Sequence, residues 1–253
     1  MFFFNRRIYY LLVSKMNKSN DKLAPVVSTN AEVKAFLNQV AKIPKTGNGS
    51  RGRLLFAIDA TLSRESTWDL ASQIQSEMFI ATKDLGGLEV QLAFYRGFGE
   101  MKVTKWLSDP DELVKKMNLV RCVAGRTQIR KVLRHTLKET KQQKVNALVF
   151  VGDVIEEDID ELGHLSGQLG LIGTPVFIFQ DGEEPISKRG FQDIARLSNG
   201  AYSTFNADSA AQLSELLRAV AVFSAGGVSA LTSYGKKIGG RALQISNQMT
   251  KQK

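Results

Sequence analysis

A single cysteine, Cys122, stands in a chain of 253 residues. No internal disulfide framework can form, and a reducing compartment fits that usage. Histidine is nearly as scarce. His135 and His164 have no metal-ligand spacing to each other or to Cys122, which argues against a zinc site. Long apolar runs are missing as well. The opening stretch "MFFFNRRIYYLLVSKM" offers only "IYYLLV", shorter than the apolar core of a secretory signal and without a small-residue cleavage site. It falls far below the ~20 residues of a membrane span. It reads either as an interfacial anchor or as an upstream extension with Met16 as the start, and the expected location is the cytoplasm. Three further absences concern chemistry. There is no nucleophile–histidine–acid set, no phosphate-binding Gly-Lys-Ser/Thr loop and no GxGxxG after a strand, so no catalytic constellation is expected.

What is present supports a folded domain. With 43% hydrophobic residues the chain can bury a substantial core. The net charge of +9 points to acidic partners. Arg6, Arg7 and Lys15 supply part of it, so the chain from Met16 onward carries +6. Residues 1–50 read as an N-terminal extension and linker: an amphipathic piece carrying Val33, Phe36, Leu37 and Val40, then "PKTGNGSRGR". The expected domain spans 51–224, and the Gly-containing basic stretch 225–253 reads as a tail.

Within 51–224 two periods alternate. Apolar, β-rich runs occupy 54–58, 88–95, 145–152, 174–179 and 201–205. Helical spacing falls at 64–81, 109–118, 127–143, 159–170, 190–199 and 208–224. At 109–118, Asp109 is placed to cap, Pro110 suits the first turn and Glu112 completes a capping box. Such alternation predicts an α/β three-layer sandwich, a mainly parallel sheet with helices on both faces.

The first strand raises the question of function. "RLLFAIDATLSRES" (53–66) is an apolar run that stops on Asp59, followed at alternate positions by Thr61 and Ser63. Extended chain at that spacing puts all three on one side. A turn with Ser63 capping the next helix would use these residue types. So would Mg²⁺ or Mn²⁺, which take oxygen ligands and keep several waters. Two other segments aim oxygen at the same sheet edge: Thr127 in "AGRTQIRKVL", where it also suits a helix cap, and Asp153 at the end of "NALVFVGD".

This constellation resembles the von Willebrand factor type A (VWA) family and its metal-ion-dependent adhesion site (MIDAS). Asp59, Thr61 and Ser63 match its Asp-x-Ser/Thr-x-Ser motif, Thr127 its loop threonine and Asp153 its later strand-end aspartate. "FQDIARLSNGAYSTF" is similar to the family's last helix–turn–strand. One departure is Val154, where the family often has a small residue. The resemblance covers about residues 50–224 and implies a Rossmann-like fold with six strands, one of them short and antiparallel near 102–106. It also implies a bound Mg²⁺ or Mn²⁺ and a non-enzymatic module that takes an Asp or Glu side chain from a protein partner.

Arg126 and Arg130 are expected on the rim of that site. Arg130, Arg134, Lys138 and Lys141 form a basic stripe, and Glu156, Glu157, Asp158, Asp160 and Glu161 read as a solvated acidic loop. Two alternatives differ in class. A Mg²⁺-dependent phosphoryl-transfer enzyme of the haloacid dehalogenase type also starts from a strand-end aspartate, but it wants a carboxylic acid where Thr61 stands. A basic nucleic-acid binder is favoured by charge alone, without interleaved aromatics.

Overall fold

The computed structural model describes residues 51–75, 78–80, 87–205 and 210–238. The expected N-terminal extension with its amphipathic piece, and the end of the tail, lie outside them.

Strand β1 (Gly52–Asp59) is buried along its whole length, as its unbroken apolar run requires. It lies at the centre of a six-stranded sheet ordered β3-β2-β1-β4-β5-β6. The other strands are β2 (Leu88–Arg96), β3 (Glu100–Val103), β4 (Ala147–Gly152), β5 (Val176–Asp181) and β6 (Ala201–Phe205). All neighbours pair in parallel except β3, which runs antiparallel on the β2 edge. The antiparallel strand thus starts two residues before the expected 102–106; past Val103 the Thr104 N–H donates to the Leu92 oxygen at 2.9 Å, and the Val90–Leu107 bridge continues the pairing.

Alternation along β1 sorts the core. Leu54, Phe56 and Ile58 face α1 (Glu65–Ile74), α2 (Pro110–Asn118) and α6 (Ala210–Ile238). Leu55 and Ala57 face α3 (Ile129–Gln142), α4 (Ile159–Leu171) and α5 (Pro185–Leu197). Each fully buried Leu, Ile or Phe contributes about 1.5–3 kcal/mol. These two layers, one on each side of the sheet, hold its strand ends in register.

Local signals account for the starts of α2, α4 and α5. Asp109 accepts the Asp111 N–H at 2.9 Å with Pro110 in the first turn. Glu112 is drawn instead to Lys105, 3.2 Å away. Helix α5 begins earlier than the expected 190–199, because Glu184 accepts the Ile186 and Ser187 N–H groups at 3.0 and 2.6 Å ahead of Pro185. The chain is helical past Ser224 to Ile238, but as two helical segments that meet at a kink at Gly227, where φ is 66°. Gly52 explains how α6 lies so close to β1: a Cβ there would stand 2.4 Å from the Ser224 carbonyl oxygen.

Candidate metal-binding site

From β1 the chain passes one way to β2 and, after β3, returns to the other side of β1 as β4. The carboxyl ends of β1 and β4 therefore flank the reversal point, where open α/β sheets place ligands. A cavity of about 280 Å³ opens there. Asp59, Thr61, Ser63, Thr127 and Asp153 all line it, with Leu62, Ala124, Gly125, Val154 and Glu156. The five residues singled out by sequence, drawn from three segments, meet at one place.

Asp59 is 1% exposed. Its Oδ1 accepts the Thr61 N–H at 2.7 Å. Burial raises its pKa to about 6 from the ordinary 3.8; the hydrogen bonds from Thr61 oppose that rise and the charge of Asp153 adds to it. Register pairs Asp59 with Tyr95 on β2. The Tyr95 hydroxyl is buried near Asp59 but meets no partner at hydrogen-bond geometry among the described residues. Its pKa rises well above 10 through burial, and then through the charges of Asp59, Glu157 and Asp153.

Beyond Asp59 the backbone does not stay extended. It turns into a 3₁₀ helix at Leu62–Arg64, so the turn, rather than strand alternation, brings Thr61 and Ser63 together. Their hydroxyls lie 3.3 Å apart. Neither serves as a cap. Thr61 precedes the 3₁₀ turn without a side-chain bond to it, and α1 follows Arg64, again with no side-chain cap. The capping reading of these hydroxyls is therefore not what the structure shows.

Thr127 is also not a helix cap. Its hydroxyl accepts the Glu156 N–H at 3.1 Å, while its own N–H donates to Glu156 Oε2 at 2.9 Å. Glu157 supplies the missing cap of α3 from 27–28 residues away: its carboxylate accepts the Ile129 and Arg130 N–H groups at 2.5 and 3.0 Å. The acidic loop is thus only partly a solvated one. Asp158 caps α4 through the Glu161 N–H at 2.9 Å, and Glu161 pairs with Arg130 at 3.0 Å and Arg134 at 2.8 Å. Arg130 is accordingly engaged along the helix side. Arg126 is exposed and, among the described residues, has no side-chain ion pair; its backbone N–H bonds the Gly97 oxygen at 3.0 Å. That contact explains Gly125, where a Cβ would stand 2.1 Å from the same oxygen.

Asp153 has both oxygens engaged. Oδ1 accepts the Val154 N–H at 2.9 Å, and Oδ2 lies 3.3 Å from Arg64 Nε. Arg64 also donates through Nη1 to Asp181 Oδ2 at the end of β5, where the Thr67 hydroxyl donates too, at 2.5 Å.

The donor set is made of hard oxygens: two carboxylates, Asp59 and Asp153, and three hydroxyls. Among the described residues, no group of three Asp, Glu, His or Cys side chains gathers to hold a metal. A soft-metal or all-carboxylate site is therefore not what this cavity offers. A buried carboxylate with a raised pKa beside two hydroxyls that cap nothing fits a small divalent cation.

The comparison with known proteins rests on structure. No protein-family model matches the sequence, and no curated protein matches it by sequence. Among solved structures, a von Willebrand factor type A protein from Catenulispora acidiphila aligns at TM-score 0.57 with 16% identity, over 70% of this chain and 43% of that one. The chain has the VWA fold. The VWA domain of SpRpn10 aligns at TM-score 0.54 with 14% identity, over 67% of this chain and 95% of that domain. Proximal thread matrix protein 1 from the mussel byssus, in a form with a zinc-occupied MIDAS motif, aligns at 0.54 with 13% identity, over 70% and 48%. The chain thus spans less than half of the Catenulispora and mussel proteins and nearly all of the SpRpn10 domain. Within the described residues, no VWA helix or other helix is long and apolar enough to cross a membrane.

Four residues that matter to the site's geometry carry no sequence motif: Arg64, Tyr95, Glu156 and Glu157. Arg64 is adjacent to the Asp-x-Thr-x-Ser motif, which is the only signal it gives. The two glutamates act across about 28 residues, a distance that no local pattern encodes.

Proposed function

We propose that this VWA-fold chain is a non-enzymatic protein-interaction module. In this reading Asp59, Thr61, Ser63, Thr127 and Asp153 hold Mg²⁺ or Mn²⁺, and the partner supplies an Asp or Glu side chain to the ion. The observation that carries it is the convergence of five hard oxygen donors on one cavity at the reversal point of the sheet. The zinc-occupied MIDAS motif of the mussel protein, on the same fold, supports it further. The ion supplies positive charge that a carboxylate can meet. Three hydroxyl donors are neutral, so that charge is only partly cancelled.

The rim adds to the partner's description. Leu62 is exposed on the cavity wall, and Val123, whose N–H bonds the Ala60 oxygen, is exposed beside it. Phe98 is 84% exposed on the turn that packs against Gly125. With the exposed Arg126, these favour an acidic side chain flanked by apolar ones. The single cysteine keeps the cytoplasm as the proposed location. Phosphoryl transfer is disfavoured because Thr61 occupies the position of the needed acid.

The test is affinity capture from native lysate with and without chelator, beside Asp59→Ala. Binding that needs the divalent ion and is lost in the variant supports the reading. Partners that survive both chelation and Asp59→Ala but leave with salt would replace it with an electrostatic, nucleic-acid or acidic-surface reading.

A further inference from the structure

One of the cavity's two aspartates, Asp153, already faces a cation of the protein's own. Arg64 is largely shielded, its side chain 16% exposed, and spans two strand ends: Nε faces Asp153 Oδ2 at 3.3 Å and Nη1 bonds Asp181. Asp181 is anchored independently by Thr67. Asp153 is anchored by the Val154 N–H on its other oxygen. The Arg64–Asp153 contact is an ion pair lacking hydrogen-bond alignment, so it is the weaker of the two arms. A guanidinium and a divalent ion held at one carboxylate repel each other, so each weakens the other's hold on it.

We propose that Arg64 competes with the divalent cation for Asp153, so that metal uptake weakens the Arg64–Asp153 pair and the pair weakens metal uptake. Asp181 is then where Arg64 is retained when Asp153 is released. Because Arg64 is the residue immediately before α1, the state of the ion is passed to the start of that helix and to the end of β5. The competition also sets affinity: the site discriminates against cation until the ion's attraction to the remaining oxygens exceeds what the pair contributes. This inference rests on the cation reading above.

The test uses the full chain, stripped of metal, titrated calorimetrically with Mn²⁺ alone, together with Arg64→Gln, Asp181→Asn and Asp59→Ala. Arg64→Gln should bind Mn²⁺ at least about fivefold more tightly, since the competing charge is gone. Asp181→Asn leaves Arg64 with Asp153 as its only carboxylate, so Mn²⁺ should bind more weakly. A merely structural role for Arg64 predicts that both variants, which break the same network, weaken binding together. A second readout needs no variant: in ¹⁵N spectra of the wild type, the Arg64 Nε–H signal should move as Mg²⁺ is added. Wild-type binding that Asp59→Ala abolishes, with Arg64→Gln no tighter or with an unmoved Arg64 signal, overturns the competition and leaves the cation site standing. Uptake by Arg64→Gln but not by wild type supports it in its strongest form. If no protein in the set takes up Mn²⁺, both the site and the competition fall.

Discussion

Replacing Asp59 by Asn should make the metal-free protein more stable at neutral pH, against the usual effect of changing a fully buried residue at a site. The carboxylate is charged at pH 7 in a place that raises its pKa to about 6, chiefly by burial. The unfolded chain restores the ordinary 3.8. A raised acid pKa means that the folded state holds the extra proton between those values. Stability from this group is therefore present below pH 3.8 and lost as pH rises through about 6. The gap corresponds to about 3 kcal/mol at pH 7. Asn keeps an oxygen for the Thr61 N–H, now at 2.7 Å from Asp59 Oδ1, but the bond is no longer charge-assisted, which returns part of the gain. The net expectation is about 1–3 kcal/mol, or roughly 2–12 °C in melting temperature for a domain of this size. The assay is calorimetry in chelator at pH 7 and at pH 4. The advantage of Asp59→Asn should be largest at pH 7 and shrink at pH 4. A saturating divalent cation should reverse the order at pH 7, because only the wild type has the charge to bind it, and 100-fold excess over Kd adds about 2.7 kcal/mol. An Asn variant that is less stable than wild type in chelator at pH 7 would refute the reasoning about burial.

Other consequences are simpler to state. Glu157→Ala should cost about 1–2 kcal/mol in urea unfolding, because the Ile129 and Arg130 N–H groups lose their acceptor; Glu157→Gln, which keeps an oxygen, should cost less. Gly125→Ala should shift the loop away from Gly97, since its Cβ would stand 2.1 Å from that oxygen, and the thermal response to Mg²⁺ should fall with it. Arg130→Ala should change stability by less than about 1 kcal/mol, because its pair with Glu161 is solvent-exposed. For the proposed domain limits, a chain begun at Met16 should melt with the full chain; a large drop would show that the first residues belong to the fold.

Much of this architecture is legible along the chain because the periods are clean. Leu54 to Ile58 is apolar on both faces, which only a central strand needs, and α3 shows Ile129, Val132, Leu133 and Leu137 at helical spacing. The site residues are legible for another reason: polar oxygens at the end of a buried strand are out of place unless something uses them. What escaped depends on partners far apart in sequence. Arg64 meets Asp153 and Asp181 only after β4 and β5 have docked beside β1. Glu157 caps α3 across 27–28 residues, so the cap that Thr127 also suits in the sequence is supplied by the acidic loop. Gly226 and Gly227 punctuate the sequence beyond Ser224, and the helical course resumes there past a kink at Gly227 that no local period announces.

The central claim is that a divalent cation sits among Asp59, Thr61, Ser63, Thr127 and Asp153. Anomalous diffraction from crystals grown with Mn²⁺ tests it most directly. The account predicts one strong peak inside that cavity, missing from crystals of Asp59→Ala. A cavity without a peak at saturating Mn²⁺, or a peak confined to the acidic loop at 156–161, would contradict it.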